Sequence, residues 1–245
     1  MKIYGGRAGF NSVSFTGDRY HSVARFKGGE ITTEVDQRKE NLKITKILSK
    51  IPFIRSFSIL LDMVIEYWKR FLFMTIALFL IRFIIGGKSN FDLSHPIPIN
   101  GLVILCSILV IVGLIIKLTP IGKYHAAEHM VDSTYEKGLD LTLEHVKRQS
   151  RVHKDCGTNL VMSVFISYFI LFILYGHGLW VFLVSWSIGY EIWKKEPKLI
   201  WSLVLIIGKA AQYLLFTSKP EKQHLLVAIE ALTKLEEKEL ANKTN

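Results

Sequence analysis

Residues 100–118, NGLVILCSILVIVGLIIKL, run for nineteen positions with Lys117 as the only charge. A run of that length and polarity matches the hydrocarbon thickness of a bilayer and is longer than an ordinary core helix needs. Half of the 245 residues are hydrophobic, and further apolar runs occupy 71–85, 160–175 and 179–193. The expected fold is therefore a mainly α integral membrane protein. It has about four transmembrane helices, a small N-terminal β-meander and a cytosolic helical insert. Arg82, near one end of the first run, is placed to snorkel. Gly176-His177-Gly178 reads as a tight hairpin between the last two runs, with His177 an exposed loop residue and Trp180, Trp186 and Trp193 marking interfaces. Lys209 and Gln212 interrupt 198–216, which reads as a re-entrant or interfacial helix.

Charge sets the orientation. Residues 1–70 carry thirteen Lys or Arg against seven acids, whereas the connector 86–99, with Pro96 and Pro98, has Lys88 as its only Lys or Arg. Both termini and the insert between the second and third runs are then cytosolic. The net charge of +10 fits anionic lipid headgroups. No basic stretch is interleaved with aromatics as a nucleic-acid groove requires, so nucleic acid is excluded as a partner. The two cysteines, Cys106 in an apolar run and Cys156 in the insert, make no disulfide framework, and the cytosol keeps Cys156 reduced. MKIYGGRAGF has no basic flank leading into an apolar core, so no cleaved signal peptide is expected.

Six segments follow in order. Residues 1–50 form the meander and a basic linker, with strand patterns broken at Thr16-Gly17-Asp18 and Lys27-Gly28-Gly29 and with His21 as a surface position. Gly5-Gly6 reads as a turn, since a phosphate cradle needs more glycine and a following helix. Residues 51–70 are an amphipathic helix expected to lie along the membrane, because Arg55, Asp62 and Glu66 are costly at bilayer depth. Residues 71–118 are a transmembrane hairpin and 119–159 the polar insert. Residues 160–216 are a second membrane hairpin with the interfacial helix. Residues 217–245 form a cytosolic amphipathic helix opened by Pro220, with Leu225, Ile229, Leu232 and Leu235 on one side.

The chemistry is concentrated in the insert. His125, His129, Asp132 and Glu136 recur at helical steps on one face, and Gly138 ends that helix. A second helix is expected over about 141–149, with Thr142 near its start. His125-Ala-Ala-Glu128-His129 has the H-x-x-E-H spelling in which two histidines hold zinc and the glutamate activates water. His153 and Cys156 add an imidazole and a thiol, both zinc-type donors. The plain alternative is a solvated polar face laced with i,i+4 ion pairs. If all of His125, His129, His153 and Cys156 ligate, a site is closed and structural; if three do, a position stays open and Glu128 is its base. The spacing predicts that His125, His129 and at least one of His153 and Cys156 converge on one point.

The run from Tyr124 to His129, with Tyr135-Glu136, His153 and Cys156-Gly157-Thr158, resembles the bacterial YqhQ family, membrane proteins catalogued as predicted metal-dependent enzymes. The resemblance extends over most of the chain, through Gly5-Gly6, the IPFIRSF stretch from Ile51, Tyr190-Glu191, Gly208 with Gln212, and Val227-Ala228-Ile229. It implies a multi-pass protein of the bacterial inner membrane. The family pattern GGQAVIEGVMMR stands here as GGRAGFNSVSFT, so that Asn11 replaces an acid and Thr16 an arginine. HGAEHK becomes HAAEHM and HPRCGT becomes HKDCGT, so the metal-type donors are kept while the amino-terminal motif departs.

Two functions remain open. One is a cytosol-facing metallohydrolase of unknown substrate, with a zinc ion (Zn2+) on His125 and His129, the shell completed by Glu136, His153 or Cys156, and Glu128 as catalytic base. The other is a non-catalytic accessory protein of a larger membrane complex, such as the protein-translocation channel, in which the same residues brace the insert. A transporter is disfavoured, since no run carries a carboxylate deep in its middle.

Overall fold

The computed structural model describes residues 1–38, 43–86, 101–176 and 178–241. The connector beyond Gly86, His177 and the side chain of Arg82 lie outside the described residues. Contacts gather the chain into two compact units, one of 1–39, 108–162 and 198–245, the other of 40–107 and 163–197.

The first unit opens with strands β1 (Gly5–Ala8), β2 (Ser12–Thr16), β3 (Tyr20–Lys27) and β4 (Glu30–Gln37), each antiparallel to the next. The meander therefore has four strands, and Gly5-Gly6, expected as a turn, is the start of β1. Lys27 pairs with Glu30 across Gly28 and Gly29. These have φ of 62° and 91°, the left-handed pair that a two-residue hairpin requires and glycine supplies without strain. Alternation puts Val13 and Phe15 on one face of β2, both fully buried.

That face packs against α10 (Lys222–Ala241). Leu225, Ala228, Leu232 and Leu235 recur at helical spacing and join Val13, Phe15 and Ala24 in the core. The amphipathic helix read at 217–245 is thus the helix that covers the sheet. Its Glu239 accepts the N–H groups of Arg19 at 2.7 Å and Tyr20 at 3.0 Å, pinning the turn between β2 and β3.

The other side of α10 meets α5 (Pro120–Glu136). Pro120 opens α5, where a missing N–H costs nothing. The preceding helix α4 (Gly101–Leu118) meets it at 82° across Thr119. Small residues allow α5 close packing despite its polar sequence, and Ala126 and Ala127 are fully buried. Gly138, at φ 66°, turns the chain out of it. The short α6 (Leu143–Lys147) follows, with Thr142 as its cap accepting the His145 N–H. Next come α7 (Gly157–Tyr175), α8 (Leu179–Lys195) and α9 (Lys198–Ala211), the last running on into a π-helical turn at Gln212–Phe216.

The second unit holds α1 (Lys43–Leu48), α2 (Arg55–Glu66), α3 (Trp68–Gly86) and α8. The helix expected over 51–70 breaks at Tyr67, so α3 begins three residues before the apolar run read at 71–85. Arg55 makes a two-pronged ion pair with Glu191, at 2.8 and 2.7 Å. Glu191 also accepts the Phe53 N–H at 2.8 Å, which holds Phe53 at φ 66°. A non-glycine residue is costly there and needs such over-determination.

Among the described residues, Gly157–Tyr175 and Lys198–Phe216 are each long and apolar enough to cross a membrane, and the bent α4–α5 pair makes a third if it is one broken span. The segment read as re-entrant or interfacial therefore meets the length and apolarity of a span.

Candidate metal centre

The donors come from two stretches of the first unit, α5 and the segment that leads into α7. Helical spacing puts His125 and His129 on one face of α5, and their ring centroids lie 4.3 Å apart. Cys156 immediately precedes α7, where the Thr158 N–H points at its sulfur at 3.4 Å. The ligand atoms of His125, His129 and Cys156 all lie within 4.8 Å of one another, with Cys156 Sγ 3.4 Å from His125 Nε2.

Both imidazoles are fixed from behind. His125 Nδ1 faces the Phe216 carbonyl oxygen at 3.0 Å and His129 Nδ1 the Arg151 carbonyl oxygen at 2.9 Å. A carbonyl oxygen only accepts, so each Nδ1 carries the proton and each Nε2 presents a lone pair. This is the arrangement by which ligating histidines are usually oriented. Burial lowers both imidazole pKa values, and the neighbouring His125 ring pushes His129 further the same way. Both rings are therefore neutral, as ligation requires. Burial pushes the Cys156 thiol up to about 11, against the opposing hydrogen bonds from Thr158. A cation at this point would draw the thiolate out. Two neutral imidazoles and a thiol fit a zinc-type ion and leave a fourth tetrahedral position.

Glu128 is 6 % exposed, and burial raises its carboxyl to about 8, with Asp132 adding to the rise. Its Oε2 is 3.5 Å from His129 Nε2. With a neutral ring beside a carboxyl that holds its proton, this is a polar contact and carries no ion pairing. The other side of Glu128 is β1, where a Cβ on Gly6 would overlap the Glu128 carboxylate. The strand passes directly over the carboxyl group, and a side chain at position 6 would have to push Glu128 aside.

The five donors read from the sequence divide into two groups. Glu136 is seven residues beyond His129, about 10 Å along the helix, and meets His153 and Asp155 in a separate cluster. His153 Nε2 is 3.3 Å from Glu136 and its Nδ1 3.8 Å from Asp132, while Lys154 lies 3.9 Å from Glu136. His153 stays close to the first group, its ring centroid 5.9 Å from that of His129. The expected convergence thus comes through Cys156.

Gln212, read only as an interruption of an apolar run, is fully buried. It accepts the His153 N–H at 2.8 Å and donates to the His153 carbonyl at 3.1 Å and to Asn159 at 3.3 Å. The π-helical turn that it opens delivers the Phe216 carbonyl to His125; such turns recur at functional sites. A Cβ at Gly208 would overlap the Asn159 amide. Gly6 and Gln212 were both visible as residues of unusual type for their surroundings, but their partners are distant in sequence. The departures at Asn11 and Thr16 fall in sheet contacts, to the Phe26 carbonyl and to His21.

Apolar helices of spanning length and a largely buried His-His-Cys cluster with an adjoining glutamate are consistent with a membrane protein that carries a candidate metal centre. Residues 32–238 match the family described as "Protein of unknown function (DUF1385)", and the chain belongs to that family. It is 26 % identical to the "Uncharacterized protein YqhQ" of Bacillus subtilis (strain 168), across 95 % of this chain and 92 % of that protein. The YqhQ resemblance read from the motifs is therefore a true family relationship. No solved structure matches.

Proposed function

We propose that this chain is a membrane-embedded, cytosol-facing, zinc-type hydrolase, with His125, His129 and Cys156 as ligands and Glu128 as its general base. The observation that carries the reading is that the ligand atoms of His125, His129 and Cys156 all lie within 4.8 Å of one another, with the buried Glu128 carboxyl beside them. The bound ion supplies Lewis acidity at that point. Glu128, whose ionised form a cation held beside it would favour, would take a proton from water as the water oxygen bonds to the electrophilic carbon or phosphorus. It returns the proton to the leaving oxygen as the scissile bond breaks. Gly6 leaves room for this carboxyl, and the Phe216 and Arg151 carbonyls hold the rings in register. Glu136 and His153 act as outer neighbours. Around this centre, four crossings of the bacterial inner membrane with both termini in the cytosol fit the basic-residue asymmetry.

The near-complete burial of Glu128, His129 and Cys156 is the observation that favours the second reading, a closed site bracing an accessory subunit of a membrane complex such as the translocation channel. Glu128→Gln separates the two. A hydrolase loses turnover of ester and phosphoester probes by about a hundredfold or more while keeping its metal. A bracing site shows no turnover in either form.

A further inference from the structure

Three observations bear on how the centre would lie against a membrane. Cys156 is the residue before Gly157–Tyr175, and Phe216, whose carbonyl holds His125, is the last residue of Lys198–Phe216. Among the described residues these are the two single helices long and apolar enough to span, and each has an end at the centre. Second, α5 leaves α4 at 82°. A steep α4 would lay α5 along the bilayer surface, with His125 five residues past Pro120, about 7.5 Å along it.

The third observation is a collar of cations on exposed apolar side chains. In the π-helical turn Tyr213 is 54 % and Leu214 58 % exposed, and Leu118 at the end of α4 is 83 % exposed. Lys117 Nζ reaches back to the carbonyls of Tyr213 at 3.5 Å and Leu214 at 2.6 Å. The Arg151 guanidinium lies 3.9 Å above the Tyr213 ring, and its own carbonyl holds His129. A lysine turned back toward carbonyls and an arginine stacked on an exposed tyrosine are the arrangement of a membrane–water boundary. Among the described residues, neither Lys117 nor Arg151 has a carboxylate partner.

We infer that the centre takes an anionic phospholipid from the surrounding leaflet, its headgroup on Arg151 and Lys117 beside the His-His-Cys cluster and its chains along Leu118, Tyr213 and Leu214. The substrate class is then a lipid with its ester or phosphoester bond at headgroup depth. The chemistry assigned to the site rests on the hydrolase reading; the lipid contact does not.

The test is photocrosslinking of the full chain, reconstituted in phosphatidylcholine vesicles with or without one-third phosphatidylglycerol, each tracer lipid carrying a diazirine near its headgroup. The expected result is a crosslink to residues 213–216 that is stronger with the phosphatidylglycerol tracer than with the phosphatidylcholine tracer. Arg151→Gln should weaken it about fivefold, the effect of one basic residue near an anionic surface, and Arg151→Lys should restore most of it. Arg25→Gln, in the sheet, leaves it unchanged. Equal labelling by the two tracers, no labelling at 213–216, or no response to Arg151→Gln overturns the inference. Metal content and probe hydrolysis, measured on the same preparations, report separately on the hydrolase reading.

Discussion

Gly6 of β1 and Glu128 of α5 occupy adjoining space so closely that a methyl group on the glycine would overlap the carboxylate. An amino-terminal strand thereby forms one wall around the proposed base. Gly6→Ala should displace Glu128 and lower hydrolysis of soluble ester or phosphoester probes by about a hundredfold, the lower end of a general base's contribution. Metal content should not change, because His125, His129 and Cys156 are held by other contacts. Equal loss of metal and activity would show that Gly6 supports the whole centre.

Gln212 makes paired hydrogen bonds with the backbone of His153. Gln212→Leu keeps an apolar volume and orphans a buried N–H and carbonyl, at about 1–3 kcal/mol each. Thermal unfolding in detergent should show that loss, while Gln212→Glu, which still accepts the N–H, should lose less at low pH than at high pH. Wild-type stability in Gln212→Leu would remove the glutamine from the account.

Glu191 gathers the Phe53 N–H, Arg55 and, at 3.3 Å, Lys195. Removing it leaves the mostly buried Arg55 unpaired, and Glu191→Ala should destabilise by about 3 kcal/mol, the scale of a broken buried pair. Lys195→Ala removes a largely exposed partner and should cost under about 1 kcal/mol. Urea or thermal unfolding of the two variants side by side checks the order. A larger loss for Lys195→Ala would contradict it.

His224, at the start of α10, is buried edge-on against Tyr124, with ring centroids 4.6 Å apart, and accepts the Glu221 N–H at 3.2 Å. Burial lowers its pKa below the ordinary 6.5. The unfolded chain therefore binds this proton more readily, and the stability contribution is lost as pH falls from about 6.5 toward the folded pKa. His224→Phe keeps the ring contact and should flatten that acid limb in unfolding measurements between pH 7 and 5. An unchanged slope would assign the limb to other groups.

The legible part of the fold was local. Apolar length gave Gly157–Tyr175 as a helix of spanning size but not Lys198–Phe216, which Lys209 and Gln212 interrupt; Gly28-Gly29 gave the β3–β4 hairpin, and i,i+4 spacing put His125 beside His129. Cys156 was recognised as a donor by its chemistry, although its approach to His125 depends on α7 starting next to α5. Sequence could not separate Glu136 and His153 from the first cluster, because helical periodicity fixes the face of Glu136 and leaves the fold-back of 139–156 undetermined. Gly5-Gly6 was misread since a glycine pair has the same appearance in a turn and in a strand that crosses a side chain closely. Only the partner, Glu128, distinguishes them, and it lies more than a hundred residues away.

The central claim is that His125, His129 and Cys156 hold one metal ion. Elemental analysis of detergent-purified protein, wild type beside His125→Ala, tests it most directly. The account predicts about one zinc-type ion per wild-type chain and a large loss in His125→Ala, with both proteins eluting as folded species. Metal-free wild type after purification without chelators and resupply with zinc, or His125→Ala retaining the wild-type metal content, would contradict it.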